Sequence, residues 1–260
     1  EDAFLFLKQA QSRDTIERRI ERLLREVFRE YEDSALESIT GRRSFDYDAF
    51  RRKLKRVLGP VMLSVTTNQV LEIAAEVGIS FDPVVINTRA ARWARRYTDE
   101  MVSDLAKTTH EGIGELIAQF VETPDMTQKE LAAMLEKSHA FTPVRAKRIA
   151  ITETTRAYSE AVSEYQGMLA DEGLTMQRVW HTAADDRVCA LCAPLDLKPE
   201  ADWPQEVKDA NGPPRHVNCR CSVGLSAMPT TYWREKHKER QEMLAREVGG
   251  EFVSETGGQG

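Results

Sequence analysis

Several features that would settle the class of this protein at once are missing from its sequence. No stretch approaches the roughly 18 consecutive apolar residues that span a bilayer, so no membrane segment is expected. The opening EDAFLFLKQAQSRD begins on acids, and its apolar run is too short for a secretory leader. The chain starts at Glu1 rather than a methionine, which leaves open what precedes it. Net positive charge is missing too: 36 Lys and Arg stand against 42 Asp and Glu, a formal −6. Counterion release from nucleic acid needs clustered cations, so a globally acidic chain is a poor default binder of DNA or RNA. Two local exceptions are RRKLKR at Arg51–Arg56 and RAARWARR at Arg89–Arg96. Both sit in helical patterns with interleaved apolar residues and read first as solvated helix faces.

Cysteine is scarce as well, and its placement is informative. Only four occur in 260 residues, and all lie in VCALCAPLDLKPEADWPQEVKDANGPPRHVNCRC, between Val188 and Cys221. What surrounds that segment is helical. Ile16, Ile20, Leu23, Leu24, Val27 and Phe28 recur at helical spacing, with Asp14 and Glu17 resembling a capping box at the start. A second helix is expected from about Asp46 to Val77, broken or kinked at Pro60. GISFDPVV then connects to one long helix, or two shorter ones, ending near Glu122. Thr127 with Glu130 marks another start, and Thr142 with Pro143 a third, this last helix closing at Gly173. Ile149, Thr152, Thr155, Arg156, Ser159 and Val162 make this helix mixed rather than cleanly amphipathic.

The pattern changes at Leu174. LTMQRVWHTA alternates and is rich in strand formers, as is CRCSVGLSA, and the prolines between them favour loop. PTTYWREKHKERQEMLAREV returns to helix, and GGEFVSETGGQG reads as a flexible tail. The expected fold is mainly α: a long helical N-terminal domain, 1–174, then a small loop-rich α+β module, 175–227, stapled by Cys and His. A C-terminal helix and tail complete it, 228–260.

Ordering each loop residue costs about 1–2 kcal/mol, so a loop this long needs a staple. Cys189 and Cys192 have the C-x-x-C spacing that lets two thiolates converge on one tetrahedral ion. His216, Cys219 and Cys221 add further donors, with His181 a distant sixth. A structural zinc is the expected cofactor, held by Cys189, Cys192, Cys219 and either His216 or Cys221. The alternatives are unligated reduced thiols, or two disulfides in an oxidising compartment. Catalytic zinc fits poorly. The deaminase pattern fails because Val188 precedes Cys189 and Thr182 and Ala183 follow His181. The H-E-x-x-H of zinc proteases fails because GIGE follows His110 and Glu111. An HNH-type nuclease is nearer, since HVNCRC supplies His216 and Asn218, but Arg215 stands where an acidic partner is wanted. His110, His139 and His237 have no partner at ligand spacing, and Trp180, Trp203 and Trp233 are expected to anchor a small core.

Together these residues resemble a family. TAADDRVCALCAPLDLK followed by GPPRHVNCRCSVGL resembles the C-terminal signature of phage Mu F-like (SPP1-type minor head) proteins, with Asp185, Arg187, Pro214, His216, Cys219, Arg220 and Cys221 in order. Upstream, Arg145, Ala146, Ile149, Ala150, Thr152 and Glu153 resemble a second block of that family. The resemblance implies a non-enzymatic minor virion protein of a tailed phage or prophage. It would sit in the head interior, and in the host cytoplasm during assembly, binding portal and scaffold or capsid proteins. It implies no catalytic residue. A metal-dependent nuclease, or an internal protein making weak DNA contacts through the two basic stretches, is the alternative. Glu153 or Arg145 is expected either to pair along its own helix or to dock that helix onto the cysteine module; Asp185, Arg187 and Arg220 are expected to orient the loops around the sulfurs.

Overall fold

The computed structural model describes residues 2–40, 42–123, 126–138, 140–183, 185 and 187–254. His139 lies outside the described residues. Helix α1 spans Asp2–Ile39. It begins well before the expected start because DAFLFLKQAQ is itself built of good helix formers. Asp14 therefore lies inside the helix and pairs with Arg18, while Glu17 pairs with Arg13.

Helix α2 spans Tyr47–Val77, capped by Asp46, whose carboxylate accepts from the Ala49 amide at 2.8 Å. Pro60 does not end it. The ring lies on the exposed face, and Leu58, Val61 and Met62 on either side are locked into the core, so burial outweighs one missing backbone bond. Among the described residues α2 alone is long and apolar enough to pass for a membrane span, yet half of that window is buried inside the bundle. Gly78, at φ 77°, closes the helix by donating to the Ala74 carbonyl.

Helix α3 is one continuous element, Pro83–Glu122. Helix α4, Gln128–Lys137, carries both halves of the Thr127–Glu130 capping box. Helix α5, Pro143–Asp171, starts at the Thr142 cap with Pro143 in its first turn. Ile20, Leu24 and Phe28 of α1 meet Phe50, Leu54 and Leu58 of α2, Ile113 of α3 and the alanines of α5 in one core. Phe50 lies edge-on to Tyr31, Phe45 and Phe141 at 5.1, 5.7 and 6.4 Å. The basic stretches are solvated as expected: Lys53 pairs with Glu30, Lys55 with Asp99, and Arg89 with Glu164 and Asp171.

Strand β1, Gln177–His181, pairs antiparallel with β2, Ser222–Ser226, with Trp180 opposite Val223. The chain between them returns to the free edge of β1, where the Trp180 amide donates to the Lys198 carbonyl and Leu197 donates back. A short helix, α6, spans Gln205–Asp209. Trp180 and Trp203 meet edge-on at 5.7 Å in a second core. That core also takes Val70, Ile73 and Ala74 from α2 and Val162, Tyr165 and Leu169 from α5. Helix α7, Thr230–Ser254, runs through Gly249 and Gly250, where a tail was expected. It is pinned on the module by Arg240 to Asp196, Arg234 to Asp202 and the Trp233 indole to Ser226.

Candidate metal centre

The C-x-x-C turn is held by its own backbone: the amides of Cys192 and Ala193 both donate to the Cys189 carbonyl at 3.0 Å. This brings the two sulfurs to one side. The second loop turns at Asn218, which adopts φ 67°, a region where asparagine is among the tolerated residues. The Asn218 amide is taken by Thr152 Oγ1 at 2.8 Å, and the Cys219 carbonyl accepts from Thr155 Oγ1 at 2.6 Å. One turn further along α5, Ser159 donates to the Asn211 carbonyl at 3.0 Å. Thr152, Thr155 and Ser159 of α5 are therefore the seat of the cysteine module.

Upon this seat the five candidate donors converge. His216 Nε2 lies 3.0 Å from Cys189 Sγ and 3.2 Å from Cys192 Sγ, and Cys192 Sγ lies 3.9 Å from Cys219 Sγ. Cys189, Cys192 and His216 form one group, and Cys192, Cys219 and Cys221 another, each with all donor atoms within 4.8 Å of one another. Either group could hold a metal ion. Metal–sulfur bonds of about 2.3 Å and metal–nitrogen bonds of about 2.0–2.1 Å put tetrahedral donors roughly 3.5–3.8 Å apart. The contacts of 3.0–3.9 Å bracket that spacing. A cavity of about 20 Å³ lies among these residues, room for a single water-sized body. His181 points elsewhere, its ring packing edge-on against Trp233.

Electrostatics inside the cluster follow from these contacts. Contact with the Cys219 and Cys221 sulfurs, together with burial, holds the Cys192 thiol up, and contact with Cys192 and Cys221 draws the Cys219 thiol down. Burial opposes the His216 imidazolium, but the Val217 carbonyl and the facing sulfurs of Cys219 and Cys189 outweigh it and raise its pKa. The contact of His216 Nδ1 with the Val217 carbonyl, 2.9 Å, selects the tautomer that leaves the Nε2 lone pair facing the sulfurs. The Trp180 indole N–H is fully buried, finds no acceptor of ordinary geometry, and lies beside the Cys221 sulfur. Contacts with Cys192 and with this indole draw the Cys221 thiol down, but the Cys219 sulfur and burial outweigh them and push it up to about 12.

Residues 112–224 match the family described as Phage Mu protein F like protein. That stretch of the chain is similar to phage Mu F-like proteins. No curated protein and no solved structure matches the chain. The matched stretch covers the last quarter of α3, the Thr142-capped helix and both cysteine pairs, so the motif resemblance and the family match coincide.

The charged residues of this Mu F-like segment fall into two groups. Arg220 grips Asp185 with two 2.7 Å bonds, and the Arg187 amide donates to the same carboxylate at 3.1 Å. The Arg220 fork is the chief reason the Asp185 carboxyl is held far below its ordinary range. These residues brace the first loop against the second. Glu153 and Arg145, by contrast, do not reach the cysteines. Tyr97 of α3 donates its hydroxyl to Glu153, whose pKa burial raises. Arg145 donates to Thr109 at 2.9 Å and to the Leu105 carbonyl at 3.0 Å, and burial pushes it down to about 10. Both tie α5 to α3 instead. Sequence reasoning also missed Arg13 of α1, which reaches the carbonyls of the second cysteine pair. No sequence signal links positions so far apart.

Proposed function

We propose that this chain is a structural minor head protein of a tailed phage or prophage, built around a single zinc ion held by Cys189, Cys192, His216 and Cys219. The family match supports a role in phage head morphogenesis. The observation that carries the non-enzymatic reading is the orientation of His216. Its Nε2 faces the sulfurs of Cys189 and Cys192 and its Nδ1 is held by the Val217 carbonyl, so neither nitrogen serves as a general base. The neighbouring carboxylate, Asp185, is committed to Arg220. A bound zinc would supply cross-linking of two loops rather than a Lewis acid, because a closed set of four protein donors has no place for substrate. Cys221 then remains a buried thiol beside the Trp180 indole.

The partners that fit this reading are the portal and the scaffold or capsid proteins of the same head, with the protein lying in the head interior. The test is genetic and compositional. Deleting the gene from the phage or prophage that carries it should leave heads malformed or non-infectious, and the protein should copurify with portal in mature particles. Normal infectious heads without it would overturn the assignment. Purified chain should carry about one zinc and leave supercoiled plasmid intact with added divalent metal; cleavage lost on His216→Ala would establish the nuclease reading instead.

A further inference from the structure

Arg13, on the first third of α1, lies against the second cysteine pair. Its Nη1 donates to the carbonyl of Arg220 at 3.0 Å and to that of Cys221 at 3.4 Å, and its Nη2 donates to the carbonyl of Cys219 at 3.4 Å and to the Thr155 hydroxyl. Its Nε is fixed by Glu17 at 2.9 Å, and its side chain is 14% exposed. Three successive carbonyls thus converge on one guanidinium. Cross-strand pairing starts only at Ser222, opposite His181, so Cys219–Cys221 lies outside the ladder and Arg13 takes the place of a partner strand. A planar fork with five fixed donors meets this demand, and a single ammonium cannot meet all of it.

We propose that Arg13 is a positioning residue of the metal centre, fixing the backbone that carries Cys219 and Cys221. This rests on the zinc reading above. A group that orients the backbone of metal ligands raises metal affinity, and removing such outer contacts typically weakens binding about 10–100-fold. The coupling runs both ways. Metal binding would in turn clamp the N-terminal turns of α1 onto the module.

The experiment is cobalt(II) binding to the full chain, measured by competition with a chromogenic chelator and by the thiolate-to-cobalt absorption. Arg13→Ala should weaken cobalt binding about 10–100-fold, and Arg13→Lys should fall between it and the native chain. Arg18→Ala, an exposed position on the same helix, serves as the control and should bind as the native chain does. If Arg13→Ala does not fold by circular dichroism, Arg13→Lys decides: a measurable loss supports the role, and native affinity overturns it. Equal affinity of native chain and Arg13→Ala overturns the proposal and leaves the zinc reading standing. A native chain that binds no cobalt at all removes both.

Discussion

The Thr155 hydroxyl donates to the Cys219 carbonyl at 2.6 Å, joining the middle of α5 to the loop before β2 across 64 positions of sequence. Thr155 is 1% exposed, so neither partner has water to fall back on. Thr155→Val keeps the shape and removes the donor. It should cost about 1–3 kcal/mol, read as a lower urea midpoint at unchanged slope. A midpoint equal to the native one would mean that this bond adds nothing to the seating supplied by Thr152, Ser159 and Arg13.

Ligand identity separates cleanly by substitution. Cys192 belongs to both donor groups, so Cys192→Ser should abolish metal binding outright. His216→Ala should do nearly the same, whereas Cys221→Ser should retain about one metal per chain. Zinc retained by His216→Ala and lost from Cys221→Ser would exchange the two in the ligand set. Metal content after gel filtration is the measurement.

Stripping the metal should be visible from the second core. Trp180 and Trp203 are buried in the layer that also contains Cys192, Cys219 and Cys221. A strong chelator should red-shift tryptophan emission and lower the melting temperature, and zinc should reverse both changes. Emission that ignores chelation would place the tryptophans outside the metal's influence.

Glu153 gives a pH prediction of definite sign. Burial raises its pKa above that of the unfolded chain. Its contribution to stability is therefore complete below the ordinary glutamate range, near 4.3, and is lost as pH rises through the folded value. Glu153→Gln keeps an acceptor for Tyr97 and removes the buried charge. It should melt above the native chain near pH 8, with the difference closing toward about pH 4. Melting curves across that range decide it; a variant less stable at every pH would mean that attraction between the carboxylate and Arg156 outweighs the cost of burying the charge.

The helical core offers a control remote from the metal. Phe50 is fully buried and contacts Tyr31, Phe45 and Phe141. Phe50→Ala should cost about 3–5 kcal/mol without changing metal affinity once the protein is folded.

Local rules made much of this architecture legible. Thr127 with Glu130 and Thr142 with Pro143 marked true helix starts because capping is satisfied within four residues. The C-x-x-C pair and HVNCRC pointed to one cluster because ligand spacing is also short-range. What failed was long-range or competitive. Asp14 and Glu17 had the letters of a capping box, but α1 extends past them to Asp2. Pro60 had the chemistry to break or kink a helix, and it does not break α2, because flanking apolar side chains carry the helix through it. GGEFVS looked like tail, and α7 continues to Ser254. Glu153 and Arg145 stood out as motif residues, yet which neighbour they meet depends on how α3 packs, and no local pattern encodes that.

The reach of Arg13 to Arg220 and its neighbours also sets an order of events at the ribosome. Helices α1 to α5 can collapse as soon as they emerge, while the fork on α1 waits for Cys221 to follow. Premature termination anywhere before that point leaves a bundle whose Arg13 fork keeps Glu17 but lacks its carbonyl partners, above an unroofed hydroxyl row. Such fragments should be preferred substrates for cellular proteases, so a truncated copy would be cleared before it could accumulate.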